Sequence, residues 1–305
     1  MSEVTRIGWT QATWNPVTGC TRVSPGCDRC YIERTPPLRM ARRRFDGPGA
    51  GATTGVVLHP GRPTLPTRGR APRRVFVCSL ADLFHPGVPD PYLAQVWAVM
   101  ALTGRHTFQV LTKRHARLHA WLSGPGHAQV LDVVTRWSRT GIPVPAGVGG
   151  GHRHRSVPQV PAGTAATLPW PLPNVWVGVS AETQRWADLR VPALLAAPAA
   201  VRWISAEPLL GPIDLGAGAW LRPERAAGPS GGRRVSWVVA GGESGPAARG
   251  VDPHWVRSLR DQCTDAGTAF FFKQWGGSTP RAGGHDLDGR VWQQYPPAGR
   301  AEVTR

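Results

Sequence analysis

From residue 73 onward the chain repeats one theme: an apolar run of β-branched and aromatic residues, a small polar cluster, then a segment of helical periodicity. "RRVFVCSLADLFH" (73–85) predicts a strand that ends near Ser79 and Asp82, and "PYLAQVWAVMALTG" (91–104) predicts a helix closed by Gly104. "HTFQVLTKR" (106–114), "NVWVGVSAET" (174–183), "AVRWISAEPLLG" (200–211), "VSWVVAGGESG" (235–245) and "TAFFFKQWGG" (268–277) continue the strands. "HARLHAWLS" and "QRWADLRVPALLAA" read as intervening helices, as does "DPHWVRSLRDQCTDAG", with its Asp cap, Pro at the first position and closing Gly. That makes six strands after residue 73, and "ATWNPVTG" upstream is a candidate seventh.

Fully apolar strands alternating with amphipathic helices predict a parallel sheet buried under helices. The expected fold is therefore α/β, a partial or complete (β/α) barrel of the TIM-like kind with loop insertions. An open doubly wound sheet is the second choice. Both architectures collect ligands at the C-terminal ends of their strands, which is where the polar residues of this chain fall. One barrel-like domain is expected over 1–275, with insertions at about 44–72, 124–172 and 216–234 and a tail at 276–305. The "HRHR" at 152–155 sits in the second insertion and reads as solvated rather than metal-binding.

Charge adds a partner. The 305 residues carry a formal +17, which predicts attraction to a polyanion and a nucleic acid or nucleotide substrate. Arginine supplies all but two of the 36 basic residues, so the two lysines stand out. Lys113 and Lys273 each follow a strand-like run, where a compact ammonium offers what arginine does not; both are candidate site residues for an anionic group. No run approaches the roughly 20 apolar residues of a membrane span, and "MSEVTRIGWTQ" lacks the layout of a signal peptide, so a cytoplasmic protein is expected.

The chemistry is concentrated in "TWNPVTGCTRVSPGCDRCYIER" (13–34), which holds three of the five cysteines. Cys20, Cys27 and Cys30 form a C-x6-C-x2-C pattern, close enough in sequence to converge on one metal centre. Cys78 and Cys263 lie in a strand and a helix and read as buried hydrophobes. Three thiolates without a fourth suit a [4Fe–4S] cluster with one open iron. A zinc completed by a histidine or carboxylate satisfies the same count.

Further candidates sit at the strand ends. Ser180 and Glu182 in "VSAE" and Ser205 and Glu207 in "ISAE" are near-copies that would line one mouth, binding a cofactor or acting as acid and base. Helix capping is the plainer role for Glu182, whereas Glu207 precedes Pro208, an extended context, and is the stronger catalytic candidate. Gly241, Gly242 and Glu243 would let backbone and carboxylate meet a ligand. Trp9, Trp14, Tyr31 and Trp275 read first as core and second as stacking or shielding groups.

"NPVTGC" followed by "GCDRCY" resembles the cluster loop of radical S-adenosylmethionine enzymes, especially the spore photoproduct lyase-like branch. The first gap here is six residues instead of that family's usual three, and "GGESG" follows a late strand instead of the second. The resemblance implies a partial barrel, a [4Fe–4S] cluster, S-adenosyl-L-methionine, a flavodoxin- or ferredoxin-type reductant and chemistry through a 5′-deoxyadenosyl radical. It also suggests modification or repair of nucleic acid. "GWTQATWNPVTGC", "SLADLFH", "HTFQVLTKR", "NVWVGVSAE", "SAEPLLGP", "GGESGP" and "FFFKQWG" together resemble a phage-associated bacterial family with a domain-of-unknown-function label. The alternative from another class is a non-catalytic phage or defence protein that binds nucleic acid, its cysteine loop stabilised by zinc.

Overall fold

Seven parallel strands pair strictly in chain order: β1 (Ala12–Trp14), β2 (Arg74–Val77), β3 (Thr107–Thr112), β4 (Val175–Ser180), β5 (Val201–Ala206), β6 (Trp237–Gly241) and β7 (Ala269–Gln274). The structure, a computed structural model, describes residues 5–62, 64–68, 71–143, 159–216, 219–222, 233–279 and 282–297. A doubly wound sheet reverses its strand order at a switch point; this one never does, so the barrel-like alternative holds. The longer helices are α1 (Asp90–Leu102), α2 (His115–Ser123), α3 (Gly126–Thr140), α4 (Gln184–Ala196) and α5 (Pro253–Asp265), and a five-residue helix spans Pro36–Met40. As expected, the Asp252 carboxylate caps α5 by accepting the His254 N–H.

The sheet curls into a half-barrel, and one tryptophan measures the curl. Trp9, just before β1, meets Phe76 of β2 at 4.6 Å and Trp203 of β5 at 5.2 Å between ring centroids. Three strand spacings in a flat sheet would separate β2 from β5 by about 14 Å, beyond the reach of one indole. Side-chain alternation then builds two cores. Outward residues such as Val77, Val110, Val177, Ile204 and Phe272 belong to the large cluster under the helices. Inward Phe76, Trp176, Trp203, Trp237 and Phe271 close around Trp9 as an aromatic plug. Gly178 makes room for it: a Cβ there would lie 2.5 Å from the Trp203 indole.

The expected gaps have more structure than their composition suggests. The stretch 124–172 opens with α3, whose Val130, Val133, Val134 and Trp137 are buried at helical spacing. This helix packs on α1, which explains why α1 is apolar on nearly every side. In 44–72, Val57–Leu58 pairs antiparallel with Val17–Thr18 beneath the cysteine loop. The segment after 276 is no free tail. Phe272 N–H donates to Trp292 O (2.8 Å) and Gln294 N–H to Phe270 O (3.1 Å), so the chain returns along β7 and covers its otherwise unpaired edge. The "HRHR" segment and most of 216–234 lie outside the described residues. Among the described residues no helix is long and apolar enough to cross a membrane.

Because the plug sets the curl, Trp203→Ala should cost about 3–5 kcal/mol and Gly178→Val about 1–3 kcal/mol, both read as a lowered urea midpoint. A midpoint unchanged in both variants would show that the inner aromatics are incidental to the fold.

Candidate active site

The C-terminal ends of the strands open into a cavity of about 230 Å³. It stands on the aromatic plug, with Trp9, Phe76 and Leu111 among its lining residues. Cys20, Cys27 and Cys30 all line it, as do Lys113, Ser180, Ser205, Glu207, Gly242, Glu243 and Lys273. Parallel register accounts for the serines, because Ser180 and Ser205 are direct cross-strand partners on β4 and β5. Lys273 is placed by a bulge: Ala240 pairs with Phe272 and Gly241 with Gln274, so Lys273 is the extra residue on β7. Bulges next to functional sites commonly re-aim a side chain in this way.

Glu207 and Lys273 meet inside the cavity. Lys273 Nζ lies 2.7 Å from Glu207 Oε1, while Glu207 Oε2 accepts from Ser205 Oγ (3.1 Å) and Trp9 Nε1 (3.2 Å). Lys113 differs. It lines the same cavity, and among the described residues its ammonium makes no hydrogen bond or ion-pair contact.

Two candidates support the site from behind. Glu182 is fully buried, pairs with Arg190 Nη1 at 2.9 Å and accepts the Gly26 N–H at 3.2 Å, so it grips the cysteine loop without lining the cavity. Burial opposes its charge, but Lys113 and Arg190 hold its carboxyl below the usual range. Gly26 permits this grip, since a Cβ there would stand 3.2 Å from the Glu182 carboxyl carbon. Gly241 likewise packs behind the ion pair, its would-be Cβ 3.2 Å from Glu207 Oε1.

Three arginines, which the abundance of that residue hid in the sequence, complete the frame. Arg114 bonds Asp82 (2.8 Å), Thr21 O (3.0 Å) and Cys20 Sγ (3.7 Å). Burial opposes ionisation of Asp82, yet Arg114, the Thr112 hydroxyl and the Lys113 N–H keep its carboxyl low. Arg249 grips Glu243 (2.6 Å) and reaches Pro25 O (3.0 Å). Arg190 completes the buried pair with Glu182. The signal for Arg114 was its place directly after Lys113 at a strand exit; nothing comparable marked Arg249 or Arg190.

None of the five cysteines is in a disulfide. Burial, then Asp82, push the Cys20 thiol up to about 12 against the pull of Arg114, with Cys30 and Cys27 adding to the rise. Burial also pushes the Cys30 thiol up to about 11, with Cys27 adding and the Ile32 N–H, Lys113 and Arg22 opposing. Uncompensated, these sulfurs stay protonated; a metal would have to supply the charge that ionises them. Among the described residues no three His, Cys, Asp or Glu side chains gather closely enough to hold a single ion. The cysteines share a cavity but do not meet at one point. Of the other aromatics, Trp14 is buried with its indole donating to Arg62 O (2.8 Å), and Trp275 donates to Asp286 O (2.7 Å).

A family model described as "Protein of unknown function (DUF5131)" matches residues 4–296. The chain belongs to this family. The match runs through the returning segment along β7 as well as the half-barrel, so the family unit takes in the whole site and its supporting edge. No curated protein and no solved structure matches the chain.

Two outcomes follow from the site chemistry. Alkylation of metal-free protein at Cys20 and Cys30, followed by mass spectrometry, should be slow near neutral pH and rise steeply toward pH 11, because both thiols are raised. Rapid labelling at pH 7 would contradict the upward shift of the two thiols. Glu182→Ala should cost about 3–5 kcal/mol by stranding the Arg190 charge. Because the Glu182 pKa is depressed, its stabilisation is present above the ordinary value of 4.5 and is lost as pH falls below it. The difference in urea midpoint between Glu182→Ala and the parent should therefore shrink in acid.

Proposed function

We propose that the chain is a radical S-adenosylmethionine-type [4Fe–4S] enzyme that acts on nucleic acid or a nucleotide. The observation that carries this reading is the meeting of Cys20, Cys27 and Cys30 with Ser205, Glu207 and Lys273 in one cavity at the C-terminal mouth of a parallel half-barrel. The donor set fits the group. A tetrahedral zinc needs thiolates about 3.8 Å apart, given a Zn–S bond of about 2.3 Å. Three cysteines lining one cavity are the donor type and number that a multi-iron cluster would take. When bound, the cluster supplies one-electron reduction of the S-adenosylmethionine sulfonium; a flavodoxin- or ferredoxin-type protein is the matching electron source.

The protein's own groups do the rest. Cys20, Cys27 and Cys30 hold the cluster, and Arg114 donates to Cys20 Sγ (3.7 Å), offsetting the negative charge that metal binding brings. Lys113 offers its unpaired ammonium to an anionic group of the cofactor or substrate. Ser180 and Ser205 offer hydroxyls side by side for ribose-type oxygens. Glu207 and Lys273 hold or move a proton at Glu207 Oε1, with Trp9 and Ser205 fixing the other oxygen. Trp9, Phe76 and Leu111 exclude water from beneath the reacting atoms. Glu182, Glu243 and their arginines position the loop.

Anaerobic reconstitution with iron and sulfide should give a brown protein with about four irons per chain, which cleaves the cofactor to 5′-deoxyadenosine on reduction. Cys20→Ala should keep the parent's urea midpoint to within about 1 kcal/mol and lose both colour and cleavage. A colourless protein carrying stoichiometric zinc would overturn the reading in favour of a zinc-stabilised binding module.

A further inference from the structure

The loop that carries the cysteines also carries an arginine ridge that the cavity chemistry does not use. Four of the six residues in 39–44, "RMARRR", are arginine, in a chain with 36 basic residues among 305. One of the four is structural. Arg43 reaches Thr54 O (3.0 Å) through Nε, Thr18 O (3.2 Å) and Gly55 O, and so ties the ridge to the platform under Cys20. Arg39, Arg42 and Arg44 are exposed and make no side-chain hydrogen bond or ion pair with the described residues. Met40, between them, is 81% exposed.

Among the described residues none of the nearby carboxylates forms an ion pair with the ridge arginines. Glu33 accepts the Phe45 N–H (3.3 Å), Asp46 accepts the Thr53 N–H (2.8 Å), and Asp28 lies 3.9 Å from Arg249. Toward the cavity the exposed charge continues through Arg34 and Arg29, and Arg29 lines the cavity itself. Tyr31 lines it too and is 45% exposed, its hydroxyl donating to Ser79 O. Arg42 adopts φ 52°, a left-handed conformation that costs an arginine more than a glycine.

We infer that residues 29–44 form the track of a single-stranded polynucleotide, with Arg39, Arg42 and Arg44 on successive phosphates and Tyr31 as the stacking platform at the cavity lip. Unpaired exposed guanidiniums are the expected partners of backbone phosphates, and an aromatic ring at the end of such a row is how single strands are held without sequence readout. A cavity of about 230 Å³ does not admit a duplex; chemistry there requires a base already out of its stack. The inference rests on the proposed reading for the cavity as the place of reaction, but the binding itself needs no cluster.

The test is fluorescence anisotropy of the purified full chain with labelled oligonucleotides of about 12 nucleotides, as single-stranded DNA, single-stranded RNA and duplex, over a salt series. The parent should prefer a single strand, with the DNA and RNA arms identifying the sugar. The triple variant Arg39→Gln, Arg42→Gly, Arg44→Gln should bind at least tenfold more weakly. Its slope of log affinity against log salt should fall by about 2, from three contacts of about 0.7 each. The glycine relieves the left-handed position, and a urea midpoint no lower than the parent's serves as the folding control. Tyr31→Phe should retain affinity, whereas Tyr31→Ala should lose about tenfold. Equal binding by parent and triple variant, or a preference for duplex, overturns the inference. Arginine-dependent binding by a protein that never takes up iron would sustain the track and sink the cluster, so the two failures are separable.

Discussion

Glu182 is the constraint on which the site depends. Its carboxylate has no exposed surface, yet it must remain charged, because Arg190 beside it is equally buried. Two charges taken out of water are tolerable only when held in tight geometry. Arg190 Nη1 donates to both Glu182 and Ser180 O, while its Nε and Nη2 have no hydrogen-bond partner among the described residues. That geometry ties together the end of β4, the middle of α4 and, through the Gly26 N–H, the middle of the cysteine loop. The loop is irregular and has little secondary structure of its own. It is located by what reaches up from the strand ends: Glu182 to Gly26, Arg114 to Thr21 and Arg249 to Pro25. Cysteines placed this way sit on a rigid scaffold although they belong to a loop.

The half-barrel contributes a second constraint from below. Closing a full ring lets side chains from all strands fill the interior; seven strands that do not close leave space to be filled otherwise. Trp9, supplied from outside the sheet, and Trp203 and Trp237 within it fill that space with edge-on and tilted contacts between 5.1 and 6.1 Å. The plug ends where the serines begin. Above Trp203 on β5 comes Ser205, and on β4 Gly178 and then Ser180 follow Trp176, so an apolar floor passes into a polar wall within two to four residues. A reactive species formed there would find ring carbon beneath it and fixed polar groups around it.

Charge is distributed according to the same division. Of the carboxylates that line the cavity, Glu207 contacts Lys273, Glu243 contacts Arg249 and Asp82 contacts Arg114, while Lys113 lines the same cavity with no contact partner for its ammonium among the described residues. On the surface beyond the cysteine loop the arginines at 39, 42 and 44 have no ion-pair partner among the described residues. The proposed cluster and sulfonium would require internal balance, and the proposed phosphate track would require excess.

By itself the sequence determined the parallel strands, the helices between them and the polar residues at the strand exits, because alternation, capping and apolar runs are local and survive in one dimension. It also placed three cysteines in one loop and the two lysines at strand exits. Tertiary structure alone decided that the sheet curls without closing, since curl follows from how Trp9 and Gly178 pack with Trp203 over distances no pattern records. It alone separated Glu182, which holds the loop, from its near-copy Glu207, which faces the cavity. The "SAE" motifs are identical, and the difference lies in Arg190 arriving eight residues later beside one and Lys273 arriving from a bulge beside the other. The arginines that frame the site were illegible for a related reason. In a chain that uses arginine everywhere, only burial and partners distinguish Arg114, Arg190 and Arg249 from the rest.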